Sequence, residues 1–193
     1  MISEGNQTKF LLDILNNKKN GYYVEMGAFH SEDGSNTVEL EREYDWNGVS
    51  FEIVEDFYKE FTLNRKNPCI LGDATKFNYL EYFNNNDFPK QIDFLQVDID
   101  NGYNEFGRSL SDPYQGLHGL IALPLNLYRF TFITFEHDQC IDMKAESIKN
   151  AQREILYGYG YNLIRRTMCE DWWIDPTVIP YTEYRSKIKV FTL

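Results

Sequence analysis

Two nearly continuous apolar runs in the second half of the chain constrain its fold most strongly. They are IDFLQV at 92–97 and FTFITF at 130–135. A strand that faces water on one side alternates apolar and polar residues, whereas a strand covered on both faces of a parallel sheet is apolar almost throughout. We therefore predict a parallel sheet that carries helices on both of its faces.

Shorter apolar runs predict five further strands, and helical patterns separate most of them. The further predicted strands are 22–26, 48–53, 69–71, 161–166 and one around 172–174. The predicted helices are a first one capped by Ser3, then 35–44, 56–65, about 76–84, about 104–109 and 147–157. This alternation predicts an α/β fold with a mostly parallel, doubly wound sheet of about seven strands.

The length of 193 residues suits one domain with a full core. We expect an N-terminal helical segment over 1–20 that covers one sheet edge, a core over 21–176 and a C-terminal tail over 177–193. The apolar residues Phe57, Phe61 and Leu63 are expected to point inward from the helix at 56–65.

Charge and composition exclude several classes of protein. The net charge of −11 argues against nucleic acid as a partner, because a phosphate-binding surface needs clustered Lys and Arg. No apolar stretch approaches the roughly 20 residues of a membrane span, and the first residues do not form a secretion signal. We expect a cytoplasmic protein, in which Cys69, Cys140 and Cys169 are reduced core thiols because they are far apart and form no CxxC pair.

Acidic residues stand at five successive strand ends. They are Glu25 and Glu52 in the first two strands, Asp73 after the third, Asp98 and Asp100 after the fourth, and Glu136 and Asp138 on either side of His137 at the fifth. In a doubly wound sheet, ligands bind beyond the carboxyl ends of the strands. One acid there is commonplace, whereas five in succession indicate a binding site.

The loop after the first strand indicates the kind of ligand. Gly27 lets the backbone approach a ligand closely, and Glu52 is placed to accept both hydrogen bonds of a ribose diol. The loop carries Glu32 and Asp33, which would repel a pyrophosphate. S-adenosylmethionine fits better, because it has a ribose, an adenine and a cationic sulfonium. Glu25 would hold its ammonium group, and Asp73 would meet the adenine amino group.

The stretch VEMGAFHSEDGSNTVELEREYDWNGVSFE resembles the FkbM-type S-adenosylmethionine-dependent methyltransferases. The resemblance continues through NRKNPCILGDAT, IDFLQVDID, FITFEHD, GYGYNLI and EDWWIDP, and so spans about 20–176. It implies a Rossmann-like class I methyltransferase fold, S-adenosylmethionine as methyl donor, and an oxygen of a sugar or other small hydroxylated molecule as acceptor. Ser31 stands where the family usually has a second glycine, Ile53 where it often has proline, and DIDNGYNEF departs from its pattern around Asp100.

These motifs indicate a cofactor site made from the ends of the first four strands. Its predicted members are Glu25, Gly27, Ala28, Phe29, Ser35, Asn36, Glu52, Ile53, Asp73, Ala74 and Asp98. The acceptor pocket is expected to come from the segment 102–127 and the tail from 176 onward, which carry no transferable code.

The reacting end of the site is predicted where Asp98 meets Glu136 and His137. Methyl transfer to a hydroxyl needs a base, and we predict His137 in that role with both carboxylates beside it. Alternatively, His137 only orients Glu136 or caps the next segment. In a second interpretation, Asp98 and Glu136, with either His137 or Asp138, bind a divalent cation such as Mg²⁺ that positions a substrate diol.

Two further functional hypotheses stay open at this point. One is a methyltransferase-like protein that binds the cofactor or a partner without turnover, because Ser31 and Ile53 depart from the family pattern. The other takes DID at 98–100 as the metal motif of a nucleotide-sugar transferase. The pair Trp172 and Trp173 is either part of the core or a platform for an acceptor ring, and alternation along a strand places the two indoles on opposite faces.

Overall fold

The computed structural model describes residues 6–99, 114–140 and 145–188. Within these ranges the strands are β1 Tyr22–Met26, β2 Asn47–Glu52, β3 Cys69–Leu71, β4 Gln91–Val97, β5 Arg129–Glu136, β6 Asn162–Arg166 and β7 Glu170–Ile174. The helices are α1 Gln7–Ile14, α2 Val38–Tyr44, α3 Glu55–Asn64, α4 Tyr79–Asn85, α5 Gln115–Ala122, α6 Glu146–Gly158 and α7 Tyr181–Ile188. Ser3 and the predicted helix at 104–109 lie outside the described residues.

All seven strands form one sheet in the order β3-β2-β1-β4-β5-β7-β6. Strands β1 to β5 run parallel, and β7 runs antiparallel to both β5 and β6. The predicted mostly parallel sheet is confirmed. The direction of winding reverses between β1 and β4, so the crevice beyond these two strands is where a doubly wound sheet binds its ligand.

Helices cover both faces of the sheet, which explains why β4 and β5 are apolar on both sides. On the α6 face, a core cluster includes Phe83 of α4, Leu120 of α5 and Leu156 of α6. On the α1 face, a second cluster includes Phe10 of α1, Leu40 of α2 and Tyr184 of α7. None of the described helices combines the length and the apolar character needed to cross a membrane.

Helix α1 packs on β5 and β7, whereas the edge strands of the sheet are β3 and β6, so the prediction that it lies at a sheet edge is wrong. The ring centroid of Phe10 lies 5.3 Å from that of Phe132 in β5 and 5.2 Å from that of Trp172 in β7. The prediction for the helix at 56–65 is confirmed for Phe61, which is fully buried. It is wrong for Leu63, which is 85% exposed because that part of the helix faces solvent.

Two of the described helices, α5 and α7, were not predicted. Helix α5 contains Gly116 and Gly119, which argue against a helix on propensity alone. A Cβ atom on Gly119 would lie 2.9 Å from Met26 Sδ, so the glycine permits close packing of α5 on β1. Helix α7 lies in the predicted tail, where its Tyr184 completes the core of the α1 face.

Cys140 and Cys169 form a disulfide, so the prediction of three reduced thiols is wrong for these two residues. Their Cα atoms are 5.0 Å apart although 29 positions separate them in sequence. The bond joins the segment after β5 to the start of β7. Cys69 is free and partly buried, and burial raises the pKa of its thiol to about 12.

This disulfide leads to a test by thiol labelling. We expect iodoacetamide to leave Cys140 and Cys169 unmodified in the non-reduced protein and to modify both after reduction, as measured by mass spectrometry. Because the bond closes a loop of this length, replacing both cysteines by serine should lower the free energy of unfolding by about 2 to 4 kcal/mol. Labelling of Cys140 without a reductant would contradict the pairing.

Candidate cofactor and acceptor site

The candidate site lies at the carboxyl ends of β1, β2 and β4, at the reversal of the sheet. Its main element is the loop at 27–37, which connects β1 to α2. Most of the residues predicted to bind the cofactor lie in this loop or at the ends of the neighbouring strands. The sheet order therefore brings together side chains that are far apart in the sequence.

Gly27 allows the backbone to pass directly beside β4. Its φ angle is +88°, and a Cβ atom placed on it would lie 1.8 Å from the carbonyl oxygen of Asp98. On the other side of this contact, Asp98 N donates to the carbonyl oxygen of Met26 at 2.9 Å. Only glycine fits here, because any side chain would overlap the backbone of Asp98, directly after β4.

Glu52 holds the first residues of the loop. Its carboxylate accepts hydrogen bonds from Phe29 N at 2.8 Å and from Val54 N at 2.7 Å, one on each oxygen. The side chain is buried, and Phe29 adopts a positive φ of 48° above it. A carboxylate oxygen has two lone pairs, so each oxygen keeps one for a further donor.

Apolar side chains flank this carboxylate on the solvent side. Phe29, Ile53 and Leu71 are 48%, 66% and 45% exposed, respectively. Such exposure of large apolar groups at adjoining strand ends is typical of a surface that packs against a ligand. Ala28 and Ala74, which were predicted as cofactor contacts, are buried at this edge.

Asp73 follows β3 and stabilises the turn there. It accepts hydrogen bonds from Thr75 N at 2.9 Å and Thr75 Oγ1 at 2.6 Å, and it pairs with Lys76 Nζ at 2.6 Å. These partners lower the pKa of the carboxyl group against the opposing effect of partial burial. The side chain is one-third exposed, so a further donor can still reach it.

The start of α2 closes the loop. The helix begins at Val38 and not at the predicted Ser35, although Ser35 Oγ does accept from Thr37 N at 3.3 Å and from Val38 N at 3.2 Å. Asn36 is buried, and its carbonyl oxygen accepts from Thr8 Oγ1 at 2.7 Å. Its side-chain oxygen Oδ1 has no hydrogen-bond partner in the part of the chain that is described, which leaves a buried acceptor for a ligand.

Glu25 lies beneath the loop and not at its surface. It is 1% exposed and accepts hydrogen bonds from Ser50 Oγ at 2.6 Å and from Thr37 Oγ1 at 3.0 Å. Burial raises the pKa of its carboxyl group to about 7, although Arg65 opposes this shift. Glu25 lies in a recognisable motif, whereas Arg65 was not predicted, since no motif marks a residue that follows α3.

Ser31, where the resembling family has glycine, is anchored to α3. The carboxylate of Glu60 accepts from Ser31 N at 2.9 Å and from Ser31 Oγ at 2.7 Å, and Asn64 Nδ2 donates to the same hydroxyl at 3.0 Å. His30 Nδ1 lies 3.0 Å from the other oxygen of Glu60. The serine side chain therefore faces α3, away from the path of the loop backbone.

The carboxylates of Asp98, Glu136 and Glu170 lie on the α1 face, at the end of the site where the reaction is predicted. Glu170 accepts from Gln7 Nε2 and from Trp172 Nε1, both at 2.7 Å, and Glu136 lies directly opposite it in the register of β5 and β7. Directly opposed residues of an antiparallel pair point to the same face. Burial raises the pKa of Glu170 to about 7, and the charge of nearby Asp98 adds to this shift. Glu170 and Gln7 were missed because they approach Asp98 only through tertiary packing.

His137 lies on the other face, against α6. Its ring is fully buried, and Nε2 is 3.9 Å from Asp171 Oδ1, which in turn pairs with Arg153. Burial lowers the pKa of His137 to about 4. The structure thus brings Glu136 towards Asp98 but separates His137 from both, because adjacent residues at a strand end point to opposite faces.

The remaining predictions concern a metal and the tryptophans. Across 6–99, 114–140 and 145–188, no three His, Cys, Asp or Glu side chains come together as metal ligands. Asp138 has a positive φ of 57°, and Asp100 lies outside the described residues. Trp172 and Trp173 are fully buried in the clusters of opposite faces, as their alternation predicts, so both indoles belong to the core.

Comparisons with known proteins agree at the level of the fold. No protein-family model matches the chain, and no curated protein matches its sequence. Human methyltransferase-like protein 13, solved in complex with SAH (S-adenosylhomocysteine), superposes with a TM-score of 0.58 at 12% identity, over 100% of this chain and 91% of that chain. An O-methyltransferase from Bacillus cereus, also in complex with SAH, gives a TM-score of 0.55 at 16% identity, over 89% and 80%.

A third solved structure is the N-methyltransferase NodS from Bradyrhizobium japonicum. It gives a TM-score of 0.53 at 10% identity, over 88% of this chain and 93% of that chain. At such identities the likeness concerns the arrangement of strands and helices. The chain has the Rossmann-like fold of the class I S-adenosylmethionine-dependent methyltransferases, with seven strands and an antiparallel β7.

Proposed function

We propose that this protein is an S-adenosylmethionine-dependent methyltransferase of the FkbM type, which methylates an oxygen of a sugar or another small hydroxylated molecule. The observation that carries the proposal is the contact between Gly27 and the Asp98 carbonyl, with Glu52 beside it. This contact holds the loop at 27–37 against the end of β4 where the sheet reverses, in a fold that solved structures with bound SAH share.

The residues around the loop fit the cofactor's parts. Glu52 has lone pairs for the ribose hydroxyls, and exposed Phe29 and Ile53 offer apolar surface to the adenine. Asn36 Oδ1 is a buried acceptor without a described partner, which suits the ammonium group of the methionine part. Glu25 supports the loop from below and supplies negative charge there.

When bound, S-adenosylmethionine supplies an electrophilic methyl group. The chain has to orient the acceptor hydroxyl and take up its proton. We assign proton uptake to the carboxylate of Asp98, with Glu136 on the same face as the second candidate. The alternative base, His137, stays a prediction that its full burial and low pKa disfavour.

The acceptor class follows from the chemistry of this face. Carboxylates accept hydrogen bonds, so they suit a ligand rich in hydroxyl donors, such as a sugar. The solved structures of this fold include an O-methyltransferase and an N-methyltransferase, so the choice of oxygen rests on these carboxylates and not on the comparisons.

A labelling assay tests the proposed function. The protein is incubated with S-adenosylmethionine carrying a labelled methyl group and with a panel of sugars and polyols, and labelled products are detected by mass spectrometry. We expect one hydroxylated compound to gain one methyl group, with formation of S-adenosylhomocysteine. Cofactor binding without transfer to any compound would favour the binding-protein alternative. A chelator that abolishes transfer would support the divalent-cation hypothesis for Asp98, Glu136 and Asp138.

A further inference from the structure

We propose that Arg65 is a positioning residue that keeps the buried carboxylate of Glu25 ionised, and thereby makes cofactor binding depend on a single proton. This inference rests on the proposed function, since the ligand concerned is the cofactor. It goes further by assigning a role to a residue outside every motif of the sequence. The two residues are 40 positions apart.

Arg65 lies entirely beneath the loop at 27–37, which we call the cofactor loop. Its side chain has no exposed surface, and its guanidinium stacks 4.5 Å above the ring of Phe61. Nη1 donates to the carbonyl oxygen of Ser31 at 3.0 Å and to Ser35 Oγ at 3.3 Å. One guanidinium therefore holds two points of the loop that are four residues apart.

A hydrogen-bond relay connects Arg65 to Glu25. Nη2 of Arg65 donates to Thr37 Oγ1 at 3.0 Å, and that hydroxyl donates to both oxygens of Glu25, at 3.0 and 3.1 Å. Ser50 Oγ donates to the same carboxylate at 2.6 Å. Three donated hydrogen bonds and a nearby cation favour an anionic acceptor over a neutral one, so the positive charge of Arg65 stabilises the ionised form of Glu25.

The buried charges around Glu25 do not balance. Nε of Arg65 lies 3.2 Å from Glu41 Oε2, so a single cation serves two buried carboxylates. Among the described residues, the titratable and charged groups that act on Glu25 are Tyr23 in β1, Arg65 after α3, Cys69 in β3 and Asp98 after β4, while Glu41 in α2 shares Arg65 with it. Burial raises the pKa of Tyr23 and Cys69 away from neutrality, whereas it raises the pKa of Glu25 to about 7, so Glu25 changes charge near pH 7.

A cationic ligand above this loop favours the ionised carboxylate. The ammonium group of the cofactor is such a cation, so protonation of Glu25 should weaken binding. Affinity should therefore be highest above the pKa of Glu25 and fall as the pH decreases through it. Loss of the Arg65 charge should raise that pKa, and the fall in affinity should then begin at a higher pH.

Calorimetric titration with S-adenosylhomocysteine between pH 5.5 and 8.5 tests this inference. For the wild type, we expect about a tenfold weaker affinity at pH 6 than at pH 8, which is the effect of one proton with a pKa near 7. In Arg65→Met, the pH at which the affinity is half-lost should be higher than in the wild type. In Arg65→Lys, which keeps the charge, that pH should be closer to the wild-type value. Glu25→Gln should remove the dependence of the affinity on pH. Any dependence that remains in this variant comes from titration of the ligand's own ammonium group.

A second measurement does not depend on ligand binding. Carboxyl ¹³C chemical shifts of labelled glutamate should show Glu25 titrating near pH 7, and at higher pH in Arg65→Met and in Thr37→Val, which breaks the relay but keeps the arginine. Binding curves of wild type and Arg65→Met that run parallel at every pH would overturn the inference and leave the proposed function intact. If the wild type binds no S-adenosylhomocysteine at any pH, the proposed function fails, and the chemical shifts still decide whether Arg65 controls Glu25.

Discussion

Replacement of Gly27 by alanine is expected to abolish cofactor binding and to destabilise the protein by about 3 kcal/mol or more. Two effects combine at this position. The φ angle of +88° is unfavourable for alanine, and the new Cβ would lie 1.8 Å from the carbonyl oxygen of Asp98. The backbone of β4 cannot yield without breaking the bond from Asp98 N to the Met26 carbonyl. Urea unfolding and titration with S-adenosylhomocysteine measure the two consequences.

Gly34 provides the matched control, because it lies in the same loop and has a similar φ of +77°. No described atom lies within 4 Å of a Cβ placed on it. Gly34→Ala should therefore lower the free energy of unfolding by about 1 kcal/mol, through the backbone conformation alone, and should still bind S-adenosylhomocysteine. If Gly27→Ala loses no more stability and no more affinity than Gly34→Ala, the close contact with Asp98 does not shape the site.

Replacement of Asp98 by asparagine is expected to lower turnover by about 100-fold or more, which is the usual contribution of a general base. Asparagine keeps the shape of the side chain and can still accept from Gln96 Nε2, which lies 3.1 Å from Asp98 Oδ2. It cannot take up the proton of an acceptor hydroxyl. Turnover under saturating cofactor separates this effect from any change in binding.

Variants of Glu136 and His137 test whether Asp98 is the group that takes up the proton. Glu136→Gln should have an intermediate effect if Glu136 assists Asp98 on the α1 face. His137→Gln should leave turnover near the wild-type value, because the ring is buried on the α6 face beside Asp171. A loss in His137→Gln as large as that in Asp98→Asn would contradict this assignment and return the role of base to His137.

The sheet was predictable because each strand is marked in the sequence itself. The runs at 92–97 and 130–135 are apolar on both faces because helices cover both faces, and the observed β4 and β5 differ from them by one residue at one or both ends. Acids at the strand ends pointed to the carboxyl edge of the sheet, where we propose the site. The residues of this part of the site lie close together in the sequence, so a motif can indicate them.

The rest depends on contacts that no local pattern records. Arg65 reaches the cofactor loop from the end of α3, and Glu170 reaches the reacting end from β7. The pairing of Cys140 with Cys169 follows from the antiparallel return of β7 beside β5. The separation of His137 from Asp98 follows from the face on which each side chain lies. The prediction treated the run 136–138 as one cluster, whereas alternation along the chain divides it.

Calorimetric titration of wild-type protein and Glu52→Ala with S-adenosylhomocysteine at pH 8 tests whether the cofactor loop binds the cofactor. We expect one binding site in the wild type. The affinity of the variant should be about 10- to 100-fold weaker, because two hydrogen bonds from the ribose to a carboxylate and the hydrogen bond from Phe29 N to that carboxylate are lost. Absence of binding by the wild type at millimolar ligand, or equal affinity in both proteins, would contradict cofactor binding by this loop.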